Sequence, residues 1–313
     1  MSRATRIPIS EPSKAPACER RSWQAVDVRS VLEPSRRSRI SGARQLAERD
    51  LARVLQVLDT DPVACCMVAA RLQECGLDSR GAGELWTRGS PEDSLCFSGA
   101  NLIPLRGTID DLRAFADRAG RWPRICSSVV GRQELTLPLW DMLEQRWGPP
   151  REIRADQPLL ALAGRSQALP DPKVRRVRAD ELERYLVAAV AMFTEEIGVD
   201  PRVGDGGRGY RRRVASLIRT GRAWARFEDG EVVYKAEVGA MSRDTGQIQG
   251  VWVHPQWRGR GLSIGGTAAV ADAIVAAGRT ASLYVNSYNE VARRAYDRVG
   301  FHQVATFATV LVD

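Results

Sequence analysis

Residues 250–262 read Gly-Val-Trp-Val-His-Pro-Gln-Trp-Arg-Gly-Arg-Gly-Leu. The apolar run Val251–Val253 predicts a buried strand, and Leu262–Ala277 follows the spacing of an amphipathic helix. Between them, Gly259 and Gly261 let the backbone come close to a ligand. Backbone amides at the start of a helix point toward an anion, and the helix dipole assists. The stretch therefore predicts a strand, a phosphate-binding loop and a helix in series.

A second informative block, residues 282–301, reads Ser-Leu-Tyr-Val-Asn-Ser-Tyr-Asn-Glu-Val-Ala-Arg-Arg-Ala-Tyr-Asp-Arg-Val-Gly-Phe. It predicts a strand followed by a helix, for which Ser287 and Glu290 have the spacing of a capping box. Asn289 and Tyr296 are separated by two helical turns, so they share one helical face. A phenol suits the role of a weak acid beside a developing negative charge.

Together these blocks resemble the GCN5-related N-acetyltransferase (GNAT) superfamily over residues 173–313. The resemblance implies that acetyl-CoA is the co-substrate and that no metal is needed. It also implies that the Val251–Val253 strand pairs with the pantetheine arm, and that Tyr296 protonates the leaving thiolate. The residues that the resemblance assigns to CoA binding are Val253, Arg258, Gly259, Arg260, Gly261, Leu262 and Asn289.

The general base is less clearly marked. Many members of the resembled family carry a glutamate on the strand before the phosphate loop, but here that strand reads Gln-Ile-Gln-Gly at 247–250. Glu237, on the preceding strand, is our prediction for the catalytic base. Glu195, Glu196 and His254 are the alternatives, and histidine is the side chain type that most often serves as a base near neutral pH.

Length and composition indicate two globular domains. The chain has 313 residues, of which 44% are hydrophobic and 27% charged, which is ordinary globular composition. We expect a basic disordered arm at 1–42, a degenerate GNAT-like domain at 43–164, a linker at 165–172 and the GNAT acyltransferase domain at 173–313. The predicted fold class is α/β (α+β), with tandem GNAT-like domains, each a mixed, mostly antiparallel sheet flanked by helices.

The first predicted domain repeats the element order of the second without its glycine loop. It resembles the N-terminal partner domain of some actinobacterial GNAT proteins. Asp61-Pro62 is expected to interrupt the helical pattern Glu48–Cys75, and Thr108 with Asp111 approximates a capping box. Its expected role is to shape the acceptor cleft.

The positive charge of the chain is concentrated in arginine. Of 46 basic residues only three are lysine, and the formal net charge is +8. The basic arm and the triplet Arg211, Arg212 and Arg213 would suit an anionic acceptor such as tRNA, although a solvated face explains them equally simply.

Cysteines and targeting signals point to a cytoplasmic location. The six cysteines include no C-x-x-C pair and only two histidines accompany them, so we expect buried reduced thiols and no metal. The first residues lack the apolar core of a secretory signal, and no stretch is long enough to span a membrane.

The function predicted from the sequence is N-acyl transfer from CoA to a small-molecule or peptide amine by direct attack. The first alternative is an acyltransferase that takes its acyl group from aminoacyl-tRNA. A further alternative is a module that binds CoA or a partner without turnover.

Overall fold

Twelve strands form one mixed sheet in the described residues, 42–77 and 83–312, of a computed structural model. The predicted arm, residues 1–42, lies outside that part of the chain apart from Gly42. In chain order the strands are β1 (Arg44–Gln45), β2 (Glu84–Thr87), β3 (Leu95–Ser98), β4 (Leu102–Arg106), β5 (Ser128–Arg132), β6 (Glu152–Leu162), β7 (Arg175–Arg176), β8 (Ala223–Glu228), β9 (Glu231–Met241), β10 (Thr245–Val253), β11 (Thr280–Tyr284) and β12 (His302–Leu311).

Eight α-helices cover this sheet in the described ranges. They are α1 (Leu51–Leu58), α2 (Cys66–Cys75), α3 (Ile109–Ala119), α4 (Gln133–Trp147), α5 (Leu182–Ile197), α6 (Arg208–Arg219), α7 (Leu262–Ala276) and α8 (Glu290–Val299). The α/β fold class with a mostly antiparallel sheet is confirmed. No helix in the described part of the chain has both the length and the apolar character that crossing a membrane requires.

The strand order shows a two-fold pattern. It runs β1-β2-β3-β4-β5-β12-β6-β11-β10-β9-β8-β7, and exchanging each strand with the one six places along the chain gives the same order reversed. Among the strand pairs of the described residues, only β4–β5 and β10–β11 are parallel. The two halves of the chain are interleaved at the middle of the sheet, because β12, from the second half, lies between β5 and β6 of the first half. The division into domains at 165–172 stays a prediction, since the sheet is continuous across it.

The predicted helix interruption and the predicted capping box in the first half of the chain are both confirmed. The helical pattern is interrupted between α1 and α2, around Asp61-Pro62. The Asp111 carboxylate accepts a hydrogen bond from the Thr108 amide at 2.8 Å, as a capping box requires. Between residues 94 and 107, β3 and β4 form an antiparallel hairpin, because Gly99 and its neighbours make a turn.

The second half begins with a short turn before α5 and continues into α6 and a hairpin. The hairpin connects β8 and β9 through Asp229 and Gly230, whose φ angles are 51° and 83°. Positive φ at both central residues matches the right-handed twist of the strands. Helix α7 packs its buried face on β9–β11. Position 266 on this helix requires glycine because the helix lies close to the Tyr234 ring, and a Cβ would be 2.5 Å from that ring.

The two halves also pack directly against each other. The Cys66 thiol of α2 lies 3.8 Å from the Ala240 carbonyl and 3.4 Å from the Thr245 carbonyl, on β9 and β10. The described cysteines are free thiols, and burial raises the pKa of Cys66 to about 11 and that of Cys65 to about 12. Neither thiol is therefore suited to act as a nucleophile at neutral pH.

Candidate functional site: an open helix start beside a split in the sheet

The loop between β10 and α7 leaves a row of backbone amides open. Gly259 and Gly261 have φ angles of +76° and +79°, the left-handed region that favours glycine. Gly261 caps α7 without a side-chain hydrogen bond. Among the described residues, no group accepts from the amides of residues 259–263. These donors lie at the positive end of a 15-residue helix, which is an arrangement suited to a phosphate.

The two arginines of this loop are held differently. Arg258 donates from Nη2 to Glu195 Oε2 at 2.7 Å and from Nε to the Val253 carbonyl at 3.1 Å. Arg260 stacks over the Trp257 ring at 4.8 Å, and no ion pair engages it within the described ranges. Arg260 is therefore the loop cation that is available to an incoming anion.

Beside the loop, the sheet splits between β10 and β11. Their parallel pairing covers only residues 245–247 and 280–282, and the register of β10 with β9 shifts between Gln249 and Trp252. Gly250 lies at that irregularity with φ +57°, which is the conformation of a bulge that re-aims a strand. A cleft of about 760 Å³ opens here between α5, β10 and the strands of the first half.

Tyr296 and Asn289, both predicted from the sequence, line this same cleft. Tyr296 is only 7% exposed and packs edge-on against Phe301. Its hydroxyl has no hydrogen-bond partner in the described part of the chain. Burial raises the pKa of this phenol, with a smaller contribution from Glu196. The group therefore stays protonated at neutral pH and is able to donate.

The predicted capping box at Ser287 and Glu290 is wrong. Helix α8 begins at Glu290, and its N-cap is Asn289, whose Oδ1 accepts from the Ala292 amide at 3.1 Å. Asparagine is among the best N-cap residues because its side-chain oxygen reaches an otherwise unpaired amide. The cap therefore fixes the Asn289 side chain at the start of α8, where the residue lines the cleft.

Glu237, our sequence prediction for the base, is not among the residues that line the cleft. It is 1% exposed, and its carboxylate accepts from Lys235 Nζ at 2.9 Å and from Arg213 Nη1 at 3.3 Å. Burial alone would raise the pKa of Glu237, but the charges of Lys235 and Arg213 outweigh it and hold that pKa below its usual value. Removing a proton from a substrate would first require breaking a buried ion pair.

The three alternative bases differ in their availability. Both Glu195 oxygens accept from Arg258, and Oε2 also accepts from Trp252 Nε1 at 3.1 Å. His254 Nδ1 accepts from the Gln256 amide at 3.3 Å and so caps the turn before the loop. Glu196, at the end of α5, lines the cleft, and its carboxylate has no hydrogen-bond partner within the described ranges.

The arginine triplet on α6 is partly neutralised. Arg211 forms an ion pair with Glu183, and Arg213 forms one with Glu237. Arg212 is exposed and has no ion-pair partner among the residues the structure describes. Binding of tRNA by this triplet stays a prediction.

Comparisons with known proteins give two matching family models and solved structures of similar fold. An FR47-like protein family model matches residues 232–310, and the model of a domain of unknown function, DUF4081, matches residues 83–185. A GNAT-family acetyltransferase from Colwellia psychrerythraea superposes with a TM-score of 0.50 at 9% identity, covering 87% of this chain and 99% of that chain. A Drosophila protein superposes with a TM-score of 0.60 at 15% identity, covering 86% of this chain and 98% of that one.

Residues 232–310 match the FR47-like family model, and the chain has the fold of GNAT-family acetyltransferase structures. Each superposition covers more than four-fifths of the chain, so it includes strands from both halves of the sheet. No curated protein matches the chain in sequence. No cluster of side chains suited to a metal occurs in the described ranges.

Sequence reasoning missed what the first half of this GNAT fold contributes to the cleft. A hydrogen-bonded chain runs from Thr309 Oγ1 to Gln157 Oε1 at 2.6 Å, from Gln157 Nε2 to Asn286 Oδ1 at 2.8 Å, and from Asn286 Nδ2 to the Tyr288 hydroxyl at 2.8 Å. It ties β12 and β6 to the loop that precedes α8. The available signal was polar Gln157 just before the apolar residues 158–162 of the same strand.

Proposed function

We propose that this GNAT chain transfers an acyl group, acetyl in the first instance, from CoA to a primary amine. The GNAT acetyltransferase-like fold supports acyl transfer in general. The observation that carries the proposal is the open row of amides at residues 259–263, adjacent to the cleft that holds Tyr296. Few ligands other than a phosphate ester need both an anion cradle and a long adjoining groove.

The chain's own residues divide the work of binding and chemistry. The amides that follow Arg258, with the Arg260 guanidinium, would hold the pyrophosphate. The edge of β10 that ends at Val253 faces the split in the sheet and would pair with the pantetheine arm. Tyr296 would give its proton to the thiolate of CoA as the acyl group leaves, because burial keeps that phenol protonated.

Arg258 contributes to this proposal mainly through its position. Its amide donates to Pro255 within the turn at 3.3 Å, and its side chain is bound to Glu195. It therefore joins the loop to the end of α5, on the acceptor side of the cleft. Leu262, the first residue of α7, is buried and anchors the helix start. Asn289 lines the cleft and would contact the cofactor there.

The test is calorimetric titration of acetyl-CoA into the wild type and two matched variants, Gly259→Asp and Gly278→Asp. Both glycines have nearly equal φ, +76° and +75°, and neither would bring a Cβ within 4 Å of another atom. Any strain from left-handed backbone is thus common to both. The added carboxylate faces the proposed phosphate cradle only in Gly259→Asp.

We expect the wild type and Gly278→Asp to bind equally, and Gly259→Asp to bind at least about tenfold more weakly, which is ~1.4 kcal/mol. Release of free thiol with a panel of amino acids, short peptides and polyamines then identifies the acceptor. Equal binding by all three proteins overturns the loop as the phosphate site, and no binding by the wild type overturns CoA as donor. The aminoacyl-tRNA alternative would then be tested by salt-dependent RNA binding.

A further inference from the structure

The cleft contains one carboxylate, that of Glu196, which has no role in the acyl transfer as proposed above. Glu237 is closed off by its ion pairs, Glu195 is held by Arg258 and Trp252, and His254 is occupied by the turn that it caps. Glu196 differs from these three groups because it lines the cleft and its carboxylate is not engaged by any described residue.

The first half of the chain holds Glu196 in place. Arg154, on β6, donates from Nη2 to the Glu196 carbonyl at 3.1 Å. The same guanidinium is fixed by two hydrogen bonds to Glu152, at 2.8 and 3.0 Å, and the Arg154 side chain is only 8% exposed. The end of α5, which would otherwise fray into the following loop, is therefore anchored to a central strand of the sheet.

We propose that Glu196 is the general base, which takes a proton from the acceptor ammonium inside the cleft. This inference rests on the proposed acyl transfer. The neutral amine then attacks the thioester carbonyl, so that a C–N bond forms and the C–S bond breaks. The electron pair of the C–S bond leaves with sulfur, and the thiolate takes the proton of Tyr296. The attacking nitrogen loses its second proton to solvent, so that the product amide keeps one. Glu196 then releases the proton it accepted, and Tyr296 takes one back from solvent.

The surroundings of Glu196 favour this role. Partial desolvation of the carboxyl group in the cleft raises the pKa of Glu196, and Arg154 and Lys235 oppose this increase. A base whose pKa approaches the working pH transfers protons more effectively. The titratable and charged groups that face it are Arg154 on β6, Lys235 and Glu237 on β9, Tyr210 on α6, Tyr284 on β11 and Tyr296 on α8.

The experiment compares Glu196→Gln with its neighbour Glu195→Gln, using two acceptors of the same shape. One acceptor is the primary amine that the wild type turns over fastest. The other is its aminooxy isostere, whose nitrogen is already neutral at pH 7 and needs no base. We expect kcat/KM for the amine to fall by about 10²–10⁴-fold in Glu196→Gln, whereas the aminooxy acceptor loses less than about tenfold.

Four readouts keep the result interpretable. Acetyl-CoA affinity and the melting temperature should match the wild type in Glu196→Gln, because the change keeps the size of the side chain and its carboxylate has no hydrogen-bond partner among the described residues. Glu196→Asp should recover part of the activity, and the acidic limb of its pH–rate profile should shift. Equal losses with both acceptors, or no loss with either, overturn Glu196 as the base. A wild type that turns over no amine instead overturns the proposed function itself.

Discussion

Two strand-to-helix junctions occupy equivalent places in the two-fold strand order: β4 to α3 and β10 to α7. They differ in whether the backbone amides at the helix start are capped. In the first half the junction has two residues, and Asp111 folds back to cap the helix start. In the second half it has eight residues, and the amides at the helix start are left open.

The difference shows which parts of this fold are structural and which are available for chemistry. A carboxylate at a helix start satisfies donors and complements the dipole, so it stabilises the helix and repels a second anion. Asp111 is also 8% exposed and paired with Arg88. The first junction is thus closed by its own side chains, whereas the second keeps the same positive potential for a ligand.

Among the substitutions considered, replacing Gly250 at the irregularity of β10 should lower the stability of the protein most. Gly250→Val places a branched side chain at φ +57°, with its Cβ 3.0 Å from Met192 Cε and 3.1 Å from Lys235 Nζ. We expect about 3 kcal/mol of lost stability, from left-handed strain and overpacking together, measured by urea unfolding. Gly278→Val is the control, since it adds only the strain; equal losses in both would show that close packing at Gly250 is unimportant.

A carboxylate added to the start of α7 should make it resemble α3. Ser263 is the second residue of α7, as Asp110 is of α3. In Ser263→Asp the new charge competes with the phosphate for the open amides, and acetyl-CoA should bind about thirtyfold more weakly, ~2 kcal/mol. The reverse change on α3, Asp110→Ser, should leave binding unaltered. Unchanged calorimetric affinity in Ser263→Asp would contradict the proposed cradle.

Removing the cap of α3 should have a smaller effect, and on stability alone. Asp111→Ala removes the acceptor of the Thr108 amide and the partner of Arg88. We expect about 1 kcal/mol of destabilisation, read as a lower melting temperature, with acetyl-CoA affinity unchanged. Asp110→Ala, which removes an exposed pair with Arg113, should cost less than about 0.5 kcal/mol. A fall in CoA affinity for Asp111→Ala would show that the first junction also acts in binding.

Local chemistry explains which features the sequence predicted well. The strand, glycine loop and helix at 250–262, the Asp229-Gly230 hairpin and the Asp111 cap all depend on residues a few positions apart. The paired charges of Lys235 and Glu237 carried an unused signal, because residues two apart on a strand share one face. A lysine and a glutamate on the face that an apolar strand buries indicate an ion pair more readily than a free base.

Long-range pairing explains what the sequence could not predict. The place of β12 between β5 and β6 leaves no mark in the periodicity of any one strand, since an exchanged strand has the same pattern as an unexchanged one. The anchoring of Glu196 by Arg154 depends on that arrangement, because β6 reaches the end of α5 only when the two halves share one sheet.

The position of β12 at the middle of the sheet has a consequence for folding kinetics. Thr309 and Gln157 hydrogen-bond across 152 residues of chain, and β5 has no partner on one side until β12 arrives. Contacts of such separation in sequence slow folding, because the entropy of closing the loop is lost before the contact forms. During synthesis, β5 therefore has an unpaired edge until β12 has been made. An unpaired strand edge can pair with another chain, so this edge is the segment most in need of protection from aggregation.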